Sequence, residues 1–253
     1  QVTNTFLTTC KMILAIDIGN TQLKMAVFSN NFLIEKIIIS YDNWTKTIWE
    51  IIEKHTVKHL VVASVGKLEK ESFAVFQERV SVFFVSHQSR FPFQNQYKTP
   101  NTLGIDRMVL AAGAVFLYPE KNRLVIDAGT CITYDFIDSN NNYLGGAIAP
   151  GIRLRYEAMH NFTAKLPLLS KHNVDFTIGN STENAMHSGV VNGIVFEIEG
   201  FINSFYKNHE NFIIILTGGD TDFLAKQLKN IIFANKNFLL ESLNLIYRYN
   251  QND

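Results

Sequence analysis

Asp17 ends the apolar run Leu14-Ala15-Ile16 and is followed by Gly19-Asn20-Thr21, after which Leu23, Met25 and Val27 resume with Lys24 between them. The pattern reads as strand, tight turn, strand. Glycine at such a bend exposes backbone N–H groups that curl around one point and bind an anion. Thr21 adds a hydroxyl, Asn20 an amide and Lys24 a cation. Asp17 would repel phosphate; its carboxylate suits Mg²⁺, held directly or through water against phosphate oxygens. As a hairpin-tip carboxylate it is expected to pack against little. The bend reads as a phosphate cradle.

The pattern returns in Asp127-Ala128-Gly129-Thr130, after the run Leu124-Val125-Ile126, and Thr217-Gly218-Gly219 closes a third apolar run. On its residue type alone, Asp127 is a second magnesium-associated carboxylate. No G-x-x-x-x-G-K-[ST] and no strand-linked G-x-G-x-x-G occurs, so neither a P-loop nor a Rossmann site competes.

The elements that must carry these bends follow from periodicity. Strands are predicted at 13–17, 24–28, 32–40, 60–64 and 81–86, the last (SVFFVS) buried, with amphipathic helices at 44–55 and 67–79. A helix follows Thr102 and ends near Pro119. After the second bend come a strand at 144–149 and a long helix at 180–206, capped by Asn180 with Glu183. Its stripe is Val190, Ile194, Ile198, Phe201 and Phe205. A buried strand at 212–217, a helix, a short strand at 237–240 and a last helix from Ser242 complete the chain. A repeat of half the chain is a duplicated domain. We expect an α/β fold of two halves, 12–119 and 120–253, with a cleft between them. Met12 directly precedes the first strand, so residues 1–11 are expected to be an extension outside the fold.

Bulk composition excludes several classes. Among 253 residues, Lys+Arg and Asp+Glu both count 23, leaving no net field toward nucleic acid or an anionic membrane. The longest uncharged apolar stretch, 108–119, is too short to span a bilayer. Two cysteines, Cys10 and Cys131, make no disulfide framework and suit a reducing cytoplasm. His160, His172 and His187 lack metal-ligand spacing. Cys131 is expected to be a small buried residue.

Two duplicated halves with paired phosphate bends and a Gly-Gly loop resemble the actin–hexokinase–Hsp70 ATPase superfamily, with its ribonuclease H-like domains. The stretches D-I-G-N-T-Q-L-K (17–24), T-L-G-I-D-R (102–107), D-A-G-T (127–130), G-G-A-I-A-P-G (145–151) and T-E-N-A-M (182–186) resemble, in order, the signatures of type III pantothenate kinases. The resemblance implies ATP-dependent phosphorylation of pantothenate to 4′-phosphopantothenate, entry to coenzyme A synthesis. It implies ATP contacts from Asp17, Ile18, Gly19, Asn20, Thr21, Gln22, Leu23, Lys24 and Thr130, with Mg²⁺ at Asp17. Pantothenate would meet Tyr97, Gly104, Ile105, Asp106, Arg107 and Thr182. Asp127 would bind K⁺ or NH₄⁺. A homodimer is implied, its pantothenate pocket closed by the partner chain.

Asp106 sits in the first turn of its helix, where the dipole favours a carboxylate. There it can accept a hydrogen bond from a substrate hydroxyl and act as the catalytic acceptor, while Arg107 forks onto the substrate carboxylate. The same two residues also fit a plain N-terminal helix carboxylate with a solvated neighbour. Helix 180–206 is apolar over more than one stripe (Met186, Val191, Val195 and Phe196 besides those above), which suggests a second partner, with deep burial in its own chain as the alternative. Two other functions stay open: a non-catalytic ATP-binding regulator, and a kinase for another small hydroxylated acid or sugar. An acceptor carboxylate at 106 discriminates against the regulator.

Overall fold

The computed structural model describes residues 11–64, 68–229 and 232–251; of the expected N-terminal extension, residues 1–10 lie outside this range. The described residues form two compact units. One holds the chain up to Phe91, Asn101–Gly113 and the chain from Leu239; the other holds Pro92–Pro100 and Ala114–Phe238.

In the first unit, β1 (Met12–Ile18), β2 (Leu23–Ser29), β3 (Phe32–Ile39), β4 (His59–Ser64) and β5 (Ser81–Phe84) form a sheet of order β3-β2-β1-β4-β5. β1 and β2 pair antiparallel, while β4 runs parallel to β1. Helix α1 (Trp44–His55) buries Ile48, Ile51 and Ile52, one stripe at helical spacing, against Leu14, Ile16 and Ile18. The helix expected at 67–79 is a 3₁₀ helix, Lys70–Phe76; Lys67 lies outside the described residues. Its buried Phe73 and Phe76, three residues apart, align on one edge of a threefold helix and pack on Trp44 and Trp49. The 81–86 run is half-buried, not buried, because β5 is an edge strand. Helix α2 (Ile105–Leu117) follows.

In the second unit, β6 (Gln94–Asn95), β7 (Asn122–Ala128), β8 (Cys131–Ile137), β9 (Asn142–Pro150), β10 (Phe212–Thr217) and β11 (Phe233–Ala234) give the order β11-β10-β7-β8-β9-β6. The repeat shows in connectivity: hairpin β7–β8 with parallel β10 beside it matches hairpin β1–β2 with parallel β4. Helices α3 (Ile152–Asn161), α4 (Thr182–His187), α5 (Gly193–Tyr206) and α6 (Thr221–Leu224) belong here. The predicted long helix is helical from 182 to 206, with a π turn at Ser188–Asn192 joining α4 to α5. Its cap is Ser181, not Asn180: Ser181 is extended, and its Oγ accepts from the Asn184 N–H at 3.2 Å. Asn180 instead accepts from the Asn184 side chain. Val190, Ile194, Ile198 and Ile202 pack on Leu124, Ile126, Ile214 and Leu216.

The run at 237–240 opens a helix, α7 (Phe238–Gln251), instead of a strand. Asn235 Oδ1 accepts from the Asn237 N–H, turning the chain, and Leu240, Leu243, Ile246 and Tyr247 are buried at helical spacing. Within the first unit, Tyr247 lies tilted against His59 and edge-on to Phe83, and Asn244 donates to the Asn30 carbonyl at 3.0 Å.

Candidate active site

The first bend is built by register. Asp17 pairs with Lys24 and Ile18 with Leu23, leaving 19–22 as the loop. The Gly19 N–H closes it onto the Gln22 carbonyl at 3.2 Å, and the Tyr41 hydroxyl donates to the Gly19 carbonyl. Tyr41 as a brace had no local signal in sequence, lying 22 residues away. Because the Gly19 amide is spent on closure, the anion-facing groups are those of exposed Asn20 and Thr21. Ile18 and Leu23 are wholly buried, so only their backbone can meet a ligand.

Asp17 is 4% exposed, flanked by β2 and β4, which corrects the expectation of a loosely packed tip. Asp17 lies two residues before the loop, still inside the paired strand, so its carboxylate sits among neighbours. Burial pushes its pKa up from 3.8 to about 6; Lys24 Nζ, 3.7 Å away, pulls it down, and the charge of Asp106 pushes it up further. Asp17 and Asp106 therefore share one electrostatic environment in the first unit.

Asp106 itself is held in place by α2. Its Oδ1 accepts from the Arg107 N–H at 2.8 Å, and a Cβ on Gly104 would overlap that oxygen. Gly104 thus leaves room for the carboxylate to fold over the helix start. The Leu103 carbonyl, just before, is tied to His87 Nε2 at 2.9 Å. Ile105 is buried, and Arg107 is 6% exposed, not a solvated neighbour. A guanidinium kept so far from water suits an anion of fixed geometry.

In the second unit the Gly129 N–H closes the other bend onto the Cys131 carbonyl at 2.9 Å, leaving Thr130 exposed. The Gly151 N–H donates to the Thr130 carbonyl at 2.9 Å, and a Cβ on Gly151 would overlap the Gly129 and Thr130 carbonyls. Gly218, at φ +98°, lies against the Ala128 carbonyl and Asp127 Oδ1, both of which a Cβ there would overlap. Thr217 is in register with Asp127, so the Gly-Gly turn and the second bend leave neighbouring parallel strands together. Cys131 is exposed, contrary to expectation, because it is the first residue after the bend, opposite Pro150 where the hairpin opens.

Tyr97 follows β6, its N–H held by Asn95 Oδ1 at 3.0 Å, its ring edge-on to Tyr143 and against Gly145, whose φ is +110°. Thr182 is exposed at the start of α4. His160 and His172 are exposed, and His187 hydrogen-bonds the Tyr156 hydroxyl at 2.7 Å. Among the described residues no three His, Cys, Asp or Glu side chains gather as a metal cage. Arg155 and Glu197, joined at 2.7 Å behind the second bend, escaped the sequence reading, since 42 residues separate them.

Residues 13–204 match the model of the type III pantothenate kinase family. A type III pantothenate kinase from Flavobacterium psychrophilum is 63% identical over 239 residues, covering 94% of this chain and 99% of the relative. Among solved structures, a protein from Campylobacter jejuni described as a Baf family transcriptional activator superposes with TM-score 0.61 at 24% identity, covering 95% of this chain and all of the other. The activator of 2-hydroxyisocaproyl-CoA dehydratase from Clostridium difficile, with bound ADPNP, gives TM-score 0.51 at 14% identity, with 95% and 96% coverage. These two carry the fold: duplicated actin-like domains, as the matched hairpin sheets express.

Proposed function

We propose a function from one premise: the chain belongs to the type III pantothenate kinase family. It is a kinase, transferring phosphate from ATP to pantothenate to give 4′-phosphopantothenate, the first step of coenzyme A biosynthesis. The observation that carries a transfer role for this chain's own residues is the placement of two carboxylates in the first unit: Asp17 ends its strand at the phosphate bend, and Asp106, its Oδ1 held by the Arg107 N–H at 2.8 Å, opens α2 where its charge acts on Asp17. A nucleotide-binding regulator has no need of a second carboxylate there.

In this reading the 17–24 bend and Thr130 take the ATP phosphates through backbone N–H groups and hydroxyls, and Lys24 neutralises their charge. Asp106 accepts the hydrogen bond of the pantothenate hydroxyl and orients it in line with the γ-phosphoryl group. Because the transition state is loose, this carboxylate orients first and takes the proton late. Gly104 and Ile105 shape its seat, Arg107 forks onto the substrate carboxylate, and Tyr97 and Thr182 line the acceptor.

Asp17 fits Mg²⁺: a buried carboxylate, driven toward its protonated form by burial and Asp106, gains most from an adjacent cation. Asp17 would hold such a cation through water, and the cation would supply charge neutralisation at the phosphate oxygens. Asp127 with the Ala128 carbonyl suits K⁺ or NH₄⁺, since both oxygens converge where Gly218 has no side chain. In chain order we assign the two actin-like domains to 12–119 and 120–253, with Pro92–Pro100 and the chain from Leu239 each lent to the other half's compact unit; we place the enzyme in the cytoplasm and take it to be a homodimer. Two large side chains exposed on α5, Phe196 at 63% and Tyr206 at 44%, support the dimer. Among the described residues no helix is long and apolar enough to cross a membrane.

A coupled ADP-release assay over pantothenate and a panel of other small hydroxylated acids and sugars, with and without K⁺, tests the reading. Turnover specific to pantothenate and raised by K⁺ is expected. Equal turnover of another acid would reassign the substrate, and ATP binding without turnover would favour the regulator.

A further inference from the structure

A hydrogen-bonded chain runs from the outer helix of the second unit to the back of its phosphate bend. Glu197 on α5 accepts from two donors: Arg155 Nη2 through Oε2 at 2.7 Å, and the Tyr134 hydroxyl through Oε1 at 2.8 Å. Arg155, on the first turn of α3, uses its Nε to donate to the Pro150 carbonyl at 2.9 Å. Pro150 ends β9, and the next residue is Gly151, whose N–H holds the Thr130 carbonyl and whose missing side chain lets that bend lie flat against it. A Cβ on Gly193 would meet Arg155 Nη1 at 4.0 Å, so this glycine of α5 lies beside the guanidinium, one turn before Glu197. Both charged side chains are mostly shielded, at 21% and 26% exposed, so the pair is screened less than a surface ion pair.

We propose that Arg155 and Glu197 are positioning residues for the second bend: the α5 carboxylate fixes the α3 guanidinium, which fixes Pro150 and Gly151 and so the height of Thr130. This rests on the reading above, that the bend serves ATP. A planar fork is essential, because one guanidinium must reach a carbonyl and a carboxylate at once, which an ammonium on a flexible stem does not do with fixed geometry. Neither residue touches the bend, so the effect travels through backbone placement, where displacements of about 1 Å cost up to about 10²-fold.

Steady-state kinetics on purified Arg155→Lys and Glu197→Ala, each checked for folding by circular dichroism, give the test. Both should raise KM for ATP about tenfold while KM for pantothenate stays within about twofold. Tyr134→Phe removes the other donor to Glu197 but leaves the Arg155–Pro150 link, and should lower thermal stability without that split. Unchanged kinetics in folded Arg155→Lys and Glu197→Ala, or KM values that rise together, overturn the proposal. Gly151→Ala, or Thr130→Ala if the former does not fold, reports on the bend itself. If it too leaves KM for ATP unchanged, the placement of ATP at this bend fails. If it raises KM for ATP while Arg155→Lys and Glu197→Ala do not, only the positioning role fails.

Discussion

Replacing Asp17 with Asn should stabilise the ligand-free protein at neutral pH while abolishing its Mg²⁺-dependent turnover. Burial and Asp106 raise the folded-state pKa of this carboxyl from 3.8 to about 6. A carboxyl whose pKa is higher folded than unfolded binds its proton more tightly in the folded state. Stability therefore falls as pH rises from about 4 through about 6, and the cost is complete above that window. At about 1.4 kcal/mol per pH unit, the displacement from 3.8 to about 6 corresponds to about 3 kcal/mol at pH 8. Asn mimics the protonated side chain and escapes that cost. For a chain of this size, about 2–4 °C accompanies each kcal/mol, so the variant should melt about 6–12 °C higher at pH 8, with the gap closing toward pH 4. Differential scanning calorimetry from pH 4 to 8 without nucleotide measures it. Adding Mg·ATP should raise the melting temperature of the wild type and leave the variant almost unmoved. A gap that is independent of pH, or a variant less stable than wild type at pH 8, would refute the buried-carboxylate argument. A variant stabilised by Mg·ATP as much as wild type would refute the cradle.

Asp106→Asn should keep the fold and ATP affinity but lower kcat about 10²-fold or more, the scale of a positioned base; retention of more than about half the activity means the acceptor lies elsewhere. Gly104→Ala should lower kcat with a modest stability change, because its Cβ meets Asp106 Oδ1 and displaces the carboxylate from the Arg107 N–H. Wild-type-like turnover would show that this seat is unimportant. Light scattering at micromolar concentration should give twice the 28.8 kDa chain mass, and Phe196→Asp should shift the protein toward one chain while raising KM for pantothenate. A wild-type mass of a single chain ends the dimer assignment.

The two bends, their strands and the repeat between halves are written locally, since a run of Ile, Leu and Val broken by Asp-x-Gly specifies strand and turn within a few residues. Helix α1 was legible to the residue for the same reason, its stripe lying on one element. Family membership was legible too, because five ordered stretches keep their residue types wherever the chain folds. Residue type fixed that Asp17, Asp106 and Asp127 carry charge. It did not fix what that charge costs. Asp17 is buried because β2 and β4 pair on either side of β1, a non-local register that no window around residue 17 contains. The same holds where a local period was misleading. Residues 67–79 have helical spacing, but stacking on Trp44 and Trp49 selects a tighter 3₁₀ turn. Residues 237–240 are strand-like, but burial of Leu243, Ile246 and Tyr247 continues them as a helix. Arg155 and Glu197 are ordinary surface types in sequence and become a partly buried fork only because α3 and α5 bring them within 2.7 Å. Short-range chemistry sets which groups exist and where the chain turns, whereas desolvation and partner choice depend on contacts between residues far apart in the chain, and those belong to the tertiary structure alone.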